Sequence, residues 1–527
     1  MRRHNVLVAL LLSLSLSFHS AHGEVTTQAP SQWQAQVFHD PVKHHGKHHM
    51  SVMAHRILHP PFLTDVLERA SQEMAKLESE LDKNFDIPTS VQKRAARPSH
   101  LHSRSYNDRL QARAEGASGG DITKRGENRR WVGDEGLGLS IARASNTQRD
   151  NEWLIEVGVG TPSQPIKMVV DTGSADSWMY SPSCCYGKSH HYFDPAASST
   201  FSNRTLSTNG RPIRAASGVQ GQWWSTSYAG GSGTDGYLGI DTMQIGNPSV
   251  NVPDSTIGLA LAVNGQQRAS RKMEGLLGFS PGALSPTRGG WVTPFEKMTR
   301  DGTLAYPVLT ANLLKADRRT GKGGGGQYTF GDVKQPNMDG EMKWIDSTST
   351  YYWGAHGAGL RMGDHHLNDD DHNKRFILDT GSSILYLSSR SAALGNAQIA
   401  GSYYAAESSL GTKWLVPCAT GLVEYERQLP PAQRTPPFWV DLDGAQFAIP
   451  AEDLVFWPNS PIDPSETGGR ENMCFSTIQE GSEQLAVIGT AFIKNHIVSF
   501  AFTDNKATNR RIGIANRSDV NLFPNLN

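Results

Sequence analysis

The chain comprises 527 residues, with 50 Lys and Arg against 51 Asp and Glu for a formal charge of −1, and only 19% of its residues are charged. That length exceeds one ordinary domain of about 100–200 residues, and the near balance of charge offers no bulk attraction for nucleic acid or an acidic membrane face. Low charge with 52 glycines suits a mainly β fold rather than a helical bundle or a disordered chain, and four cysteines are too few for a disulfide-dense scaffold.

Arg2 and Arg3 precede an apolar run from Val6 to Leu16, and Ala21-His22-Gly23 has the small-x-small pattern of a signal-peptidase site. The run is shorter than the about 20 apolar residues of a membrane anchor, so residues 1–23 read as a signal peptide. Residues 24–130 read as a propeptide. They hold no cysteine, 9 of the 19 histidines, and the dibasic pairs Lys93-Arg94, Lys124-Arg125 and Arg129-Arg130. Within them, Phe62, Leu63, Val66, Leu67, Ala70, Met74, Leu77 and Leu81 recur near helical spacing and predict an amphipathic helix. The tract from His44 to His49 reads as a titratable loop rather than a metal site. This segment carries 16 basic and 13 acidic residues, whereas residues 131–527 carry 32 and 38. A positive prosegment facing an acidic remainder is the charge relation of an electrostatically held inhibitor.

Two later segments repeat one another. Ile166 to Asp171 is an apolar strand running into Thr172, Gly173 and Ser174, and Arg375 to Asp379 runs likewise into Thr380, Gly381 and Ser382. Leu276-Leu277-Gly278 follows Asp171 at an offset of 107 residues to the glycine, and Val487-Ile488-Gly489 follows Asp379 at 110. Matching offsets imply two halves with one internal layout, each presenting an aspartate on a turn. A pseudo-twofold axis would then bring the carboxyls together. Two such groups cannot both ionise easily, so they share a proton and serve as acid and base at once.

These motifs resemble the pepsin-like aspartic peptidases, made as secreted preproenzymes, over about Trp153 to Val520. Trp178 stands seven residues after Asp171; Phe193 to Phe201 resembles the family's Phe-x-Pro-x-x-Ser-Ser-Thr-Phe turn; and Ser227 to Ser232, followed by Tyr237 to Thr242, resembles its flap hairpin, one residue longer than usual. The resemblance implies a mainly β, bilobal fold with a central cleft, with lobes at 151–333 and 334–527. It implies Asp171 and Asp379 as catalytic residues, and Tyr228, Gly173, Gly381 and Ser383 as substrate-contacting. Thr172, Thr380, Ser174, Ser382 and Trp178 would support them. It also implies a Cys418–Cys474 bridge, extended protein and peptide substrates, the chain's own propeptide as inhibitor, an acidic optimum, no cofactor or metal, a monomer, and secreted or vacuolar residence. A catalytically silent binding protein of the same fold is the alternative.

Other patterns compete less well. Gly278-Phe279-Ser280-Pro281-Gly282 has the spacing of a serine nucleophile elbow, but Pro281 lacks the N–H that would serve as oxyanion donor. Asp369 to His372, with His365 and His366, reads as a solvated insertion rather than a metal loop. Lys322 to Gly326 reads as a flexible connection near the lobe boundary. For Cys184 and Cys185 a strained vicinal bridge and two free thiols both stay open. Asn203 and Asn516 head glycosylation sequons.

Overall fold

The structure, a computed structural model, describes residues 139–521 apart from 148–149, 185–190, 207–211, 219, 229–231, 265–271, 286, 288–290, 369–374 and 406–412. The signal peptide, the propeptide with its helix and dibasic pairs, Cys185 and the run Asp369 to His372 lie outside the described residues. Among those described, no helix is long and apolar enough to cross a membrane.

The mainly β, two-lobed reading is borne out by the sheets. The first half builds a ten-stranded sheet around the long antiparallel pair Gly233–Ile245 and Val250–Asn264. Val250–Asn264 is buried without a break from Ser255 to Ala260, because here the strand is covered on both faces. At Gly258 it passes so close to the Trp178 and Trp224 side chains that a Cβ would press on both. The second half divides into a five-stranded and two four-stranded sheets.

The repeat seen in the sequence becomes a shared strand arrangement. Gly275–Gly278 runs parallel to Gln164–Asp171, setting Gly278 beside Asp171. In the other half Leu485–Ile488 runs parallel to Arg375–Leu378, setting Ile488 beside Leu378. Each of these later strands is flanked on its other edge by an antiparallel partner, Trp178–Tyr180 in one half and Leu385–Leu387 in the other.

A six-stranded sheet draws on both halves, in the order Ser140–Arg143, Gly325–Phe330, Val308–Leu314, Ile497–Phe502, Arg510–Arg517, Met338–Asp346. Its core is aromatic: Phe295, Trp353 and Phe502 pack with tilted rings at centroid distances of 5.0–6.0 Å, and the Trp353 indole donates to the Phe279 carbonyl at 2.8 Å. The helix Pro294–Arg300 feeds this core. Its start is fixed by Pro294 and by a reciprocal cap in which Thr293 and Glu296 each accept the other's backbone N–H.

One expectation is corrected here. The glycine run is no flexible connection: Gly325 and Gly326 begin a strand of the six-stranded sheet with φ of 124° and 101°. A Cβ at Gly326 would overlap the Asn312 carbonyl, and one at Gly324 would crowd Leu314 and Asn146. Glycine is required there by close backbone approach rather than by mobility.

Cys418 and Cys474 form a disulfide, 56 residues apart in sequence. Cys184 is also disulfide-bonded, which removes the free-thiol alternative for that residue.

Candidate active site

The two repeated strands end at the same depth, and their turns meet. Asp171 is 5% and Asp379 8% exposed. Each turn folds back on its own carboxylate. Asp171 Oδ1 accepts the backbone N–H groups of Gly173 (2.8 Å) and Ser174 (3.1 Å), and Asp171 Oδ2 accepts the Ser174 hydroxyl. Asp379 Oδ1 accepts the Gly381 N–H at 2.8 Å, and its Oδ2 the Ser382 hydroxyl at 2.6 Å. The glycines are dictated from across the interface: a Cβ at Gly173 would overlap the Asp379 carboxyl, and one at Gly381 the Asp171 carboxyl. Only a residue without a side chain lets the opposing acid approach this closely.

Thr172 and Thr380 hold the turns level. The Thr172 N–H donates to Thr380 Oγ1 at 3.1 Å and the Thr380 N–H to Thr172 Oγ1 at 3.0 Å. Each hydroxyl then donates onward across the interface, Thr172 to the Leu378 carbonyl (2.9 Å) and Thr380 to the Val170 carbonyl (2.7 Å). All four bonds join one half of the chain to the other.

The electrostatics follow from this enclosure. Burial, and then the negative charge of Asp379, hold the Asp171 carboxyl well above its ordinary value. The Ser174 hydroxyl and the Gly173 N–H oppose that shift, and a hydrogen bond shared with Asp379 adds to it. Such a pair carries a proton at a pH where lone carboxyls have lost theirs.

Tyr228 lies at the end of the strand Trp223–Ser227, which pairs with Gly233–Ile245 as a hairpin closed by the Tyr228 N–H to the Ser232 carbonyl at 2.9 Å. The Trp178 indole donates to the Tyr228 hydroxyl at 2.7 Å. Burial, reinforced by Asp171 and Asp176, keeps that phenol protonated. The family-like turn braces the hairpin from below: Ser198 and Thr200 donate to the buried Asp241 carboxylate at 2.8 and 2.6 Å. Ser383 directs its hydroxyl to the Asn151 carbonyl at 2.8 Å.

The remaining candidates do not join the two carboxyls. Ser280 is buried and donates to the Tyr351 carbonyl at 2.7 Å, so it presents no nucleophile. His365 and His366 are exposed on a two-residue strand, and among the described residues no group of His, Cys, Asp and Glu is arranged to hold a metal. Asn516 is exposed on Arg510–Arg517, and Asn203 half-buried on Ser202–Leu206. Three buried residues beside the site escaped the sequence reading: Asp176, Trp224 and Arg204. The one sequence signal is at Asp176, a charged residue just beyond the repeated Asp171 to Ser174 segment and two positions before Trp178.

Residues 152–517 match the family described as eukaryotic aspartyl protease. The chain is 28% identical over 378 residues to Rhizopuspepsin-1 of Rhizopus niveus, covering 71% of this chain and 83% of that protein. It is 27% identical to Syncephapepsin of Syncephalastrum racemosum, covering 69% and 78%. It is 26% identical to Gastricsin of Callithrix jacchus, covering 70% and 83%.

Proposed function

The chain belongs to the eukaryotic aspartyl protease family and is an aspartic-type endopeptidase, and from that premise we propose that Asp171 and Asp379 form an acid–base dyad that hydrolyses extended peptides at acidic pH. The observation that carries this reading is the reciprocal fit of Gly173 and Gly381 against the opposing carboxyls. A water between the carboxyls attacks the scissile carbonyl carbon while the ionised acid of the pair takes a water proton. The protonated acid donates to the carbonyl oxygen, and the resulting gem-diol collapses as the acid that took the water proton delivers it to the amine nitrogen, the other carboxylate takes back a hydroxyl proton, and the C–N bond breaks. The Ser174 and Ser382 hydroxyls and the glycine N–H groups favour the ionised state of whichever acid acts as base. Tyr228, held by Trp178, covers the substrate and excludes water.

In this reading residues 1–23 direct the chain into the secretory pathway toward a secreted or vacuolar destination. Residues 24–130 act as a pH-released inhibitor, and residues 151–333 and 334–527 form the lobes of a monomeric, glycosylated enzyme modified at Asn203 and Asn516. The test is cleavage of a denatured protein at several pH values by the purified zymogen and its variants. Asp171→Asn and Asp379→Asn are expected to abolish acid proteolysis with the fold retained. Undiminished cleavage by either variant would overturn the dyad.

A further inference from the structure

Asp176 is a carboxyl in a place where an apolar side chain would be cheaper. It is 2% exposed, on the turn that links the Asp171 motif to Trp178, and burying a carboxyl costs several kcal/mol unless its interactions compensate. One compensation is explicit: Asp176 Oδ2 accepts the Trp224 indole N–H at 2.8 Å in a fully buried hydrogen bond. Trp224 belongs to Trp223–Ser227, the strand that leads into Tyr228, and side chains alternate along it so that Trp223 is 55% exposed while Trp224 points inward. Gly258 leaves the space that the Trp224 ring occupies against Trp178.

The hairpin is therefore fastened at two points on one short piece of chain. Asp176 holds Trp224, and Trp178, two residues further on, holds Tyr228. Four residue steps of extended chain separate the two held positions, about 13 Å at 3.3 Å per residue. A rigid turn that grips a strand at both places sets its tilt as well as its height over the dyad. The groups facing Asp176 complete the arrangement. Arg204, buried on Ser202–Leu206, supplies the opposing charge and donates to Gln222 just before the flap strand at 2.6 Å, and the Thr226 and Ser285 hydroxyls and Tyr228 lie within electrostatic range. Among the described residues Asp176 Oδ1 accepts no hydrogen bond, so the Trp224 indole is the one group that the carboxyl grips.

We propose that Asp176 is a positioning residue that anchors the flap strand through Trp224 and so fixes where Tyr228 closes over the substrate. Its loss weakens substrate and transition state alike, which raises KM and leaves kcat in place.

The experiment is steady-state kinetics of the processed enzyme on a peptide substrate. Asp176→Ala and Trp224→Phe are each expected to raise KM about tenfold with kcat within about twofold. The double variant should be no worse than either single one, since both remove the same bond. Asp176→Asn, whose amide oxygen still accepts the indole N–H, should return KM close to the starting value. Unchanged KM in Trp224→Phe, additive effects in the double variant, or a fall confined to kcat would each overturn the assignment. If Asp176→Ala does not fold, Trp224→Phe decides alone. The proposal rests on the dyad reading, and Asp171→Asn in the same assay separates the two. Undiminished cleavage by that variant refutes the dyad, whereas its inactivity beside a Trp224→Phe enzyme of unchanged KM refutes only the anchor.

Discussion

Replacing Thr380 with valine keeps the shape of the side chain and removes its hydroxyl. The structure shows what that hydroxyl does: it accepts the Thr172 N–H at 3.1 Å and donates to the Val170 carbonyl at 2.7 Å, with both threonines buried. The substitution opens no cavity, so the cost is that of two buried backbone groups losing partners, about 1–3 kcal/mol each and about 2–6 kcal/mol together. Against a typical total of about 5–15 kcal/mol this is a large fraction. Unfolding by urea at pH 4 measures it. The comparison is made between Asp379→Asn and Asp379→Asn/Thr380→Val so that self-digestion does not intrude. The midpoint should fall with the slope unchanged, and Thr380→Ser should recover most of the loss. In the active background, kcat should fall as well, because Thr172 and Thr380 directly follow the two aspartates, and a displacement of about 1 Å at a catalytic group costs on the order of a hundredfold. A midpoint shift worth less than about 1 kcal/mol together with unchanged kcat would show that the threonines do not hold the halves in register.

Two buried groups give the stability opposite pH dependences. Burial holds the Glu296 carboxyl above its ordinary 4.5, so the folded state keeps a proton that the unfolded state releases; stability is full below pH 4.5 and declines as pH rises through the folded value. Glu296→Gln, which still accepts the Gly282 N–H, should flatten that decline in thermal unfolding. His496 behaves conversely. Burial lowers it from 6.5 to about 4, so the unfolded state takes up a proton first, and stability falls between pH 6.5 and 4 by about 3 kcal/mol at 1.4 kcal/mol per unit. His496→Gln should lose less stability over that interval, measured by urea unfolding at the two pH values. Replacing both Cys418 and Cys474 with serine opens a loop of 56 residues and should destabilise by about 4 kcal/mol in the chain-entropy account, read as a lowered unfolding midpoint.

The halves and their shared layout were legible in the sequence because backbone constraints write themselves into residue type. Gly173 and Gly381 must be glycine to admit the opposing acid, and Gly278 must be glycine because a Cβ would strike the Ala175 carbonyl. The Asp-Thr-Gly repeat and the later glycines record those demands directly. Contacts between distant side chains leave no such mark. That Trp224 meets Asp176 across 48 residues, or that Ser383 turns its hydroxyl to Asn151, depends on which strands lie side by side, which composition does not encode. The glycines at 324–326 misled for the same reason. Glycine marks freedom and crowding alike, and only the neighbouring Asn312, Leu314 and Asn146 tell them apart.

The six-stranded sheet also ties activity to the order of synthesis. The ten-stranded sheet uses residues 145–278, so every partner it needs is made early. Val308–Leu314, by contrast, sits between Gly325–Phe330 and Ile497–Phe502, and its second neighbour emerges from the ribosome almost two hundred residues later. Until Leu485–Ile488 and Ile497–Phe502 are made, both the strand that leads to Asp379 and the sheet shared by the two halves lack a partner. The paired aspartates are therefore expected to assemble only when synthesis of the chain is nearly complete.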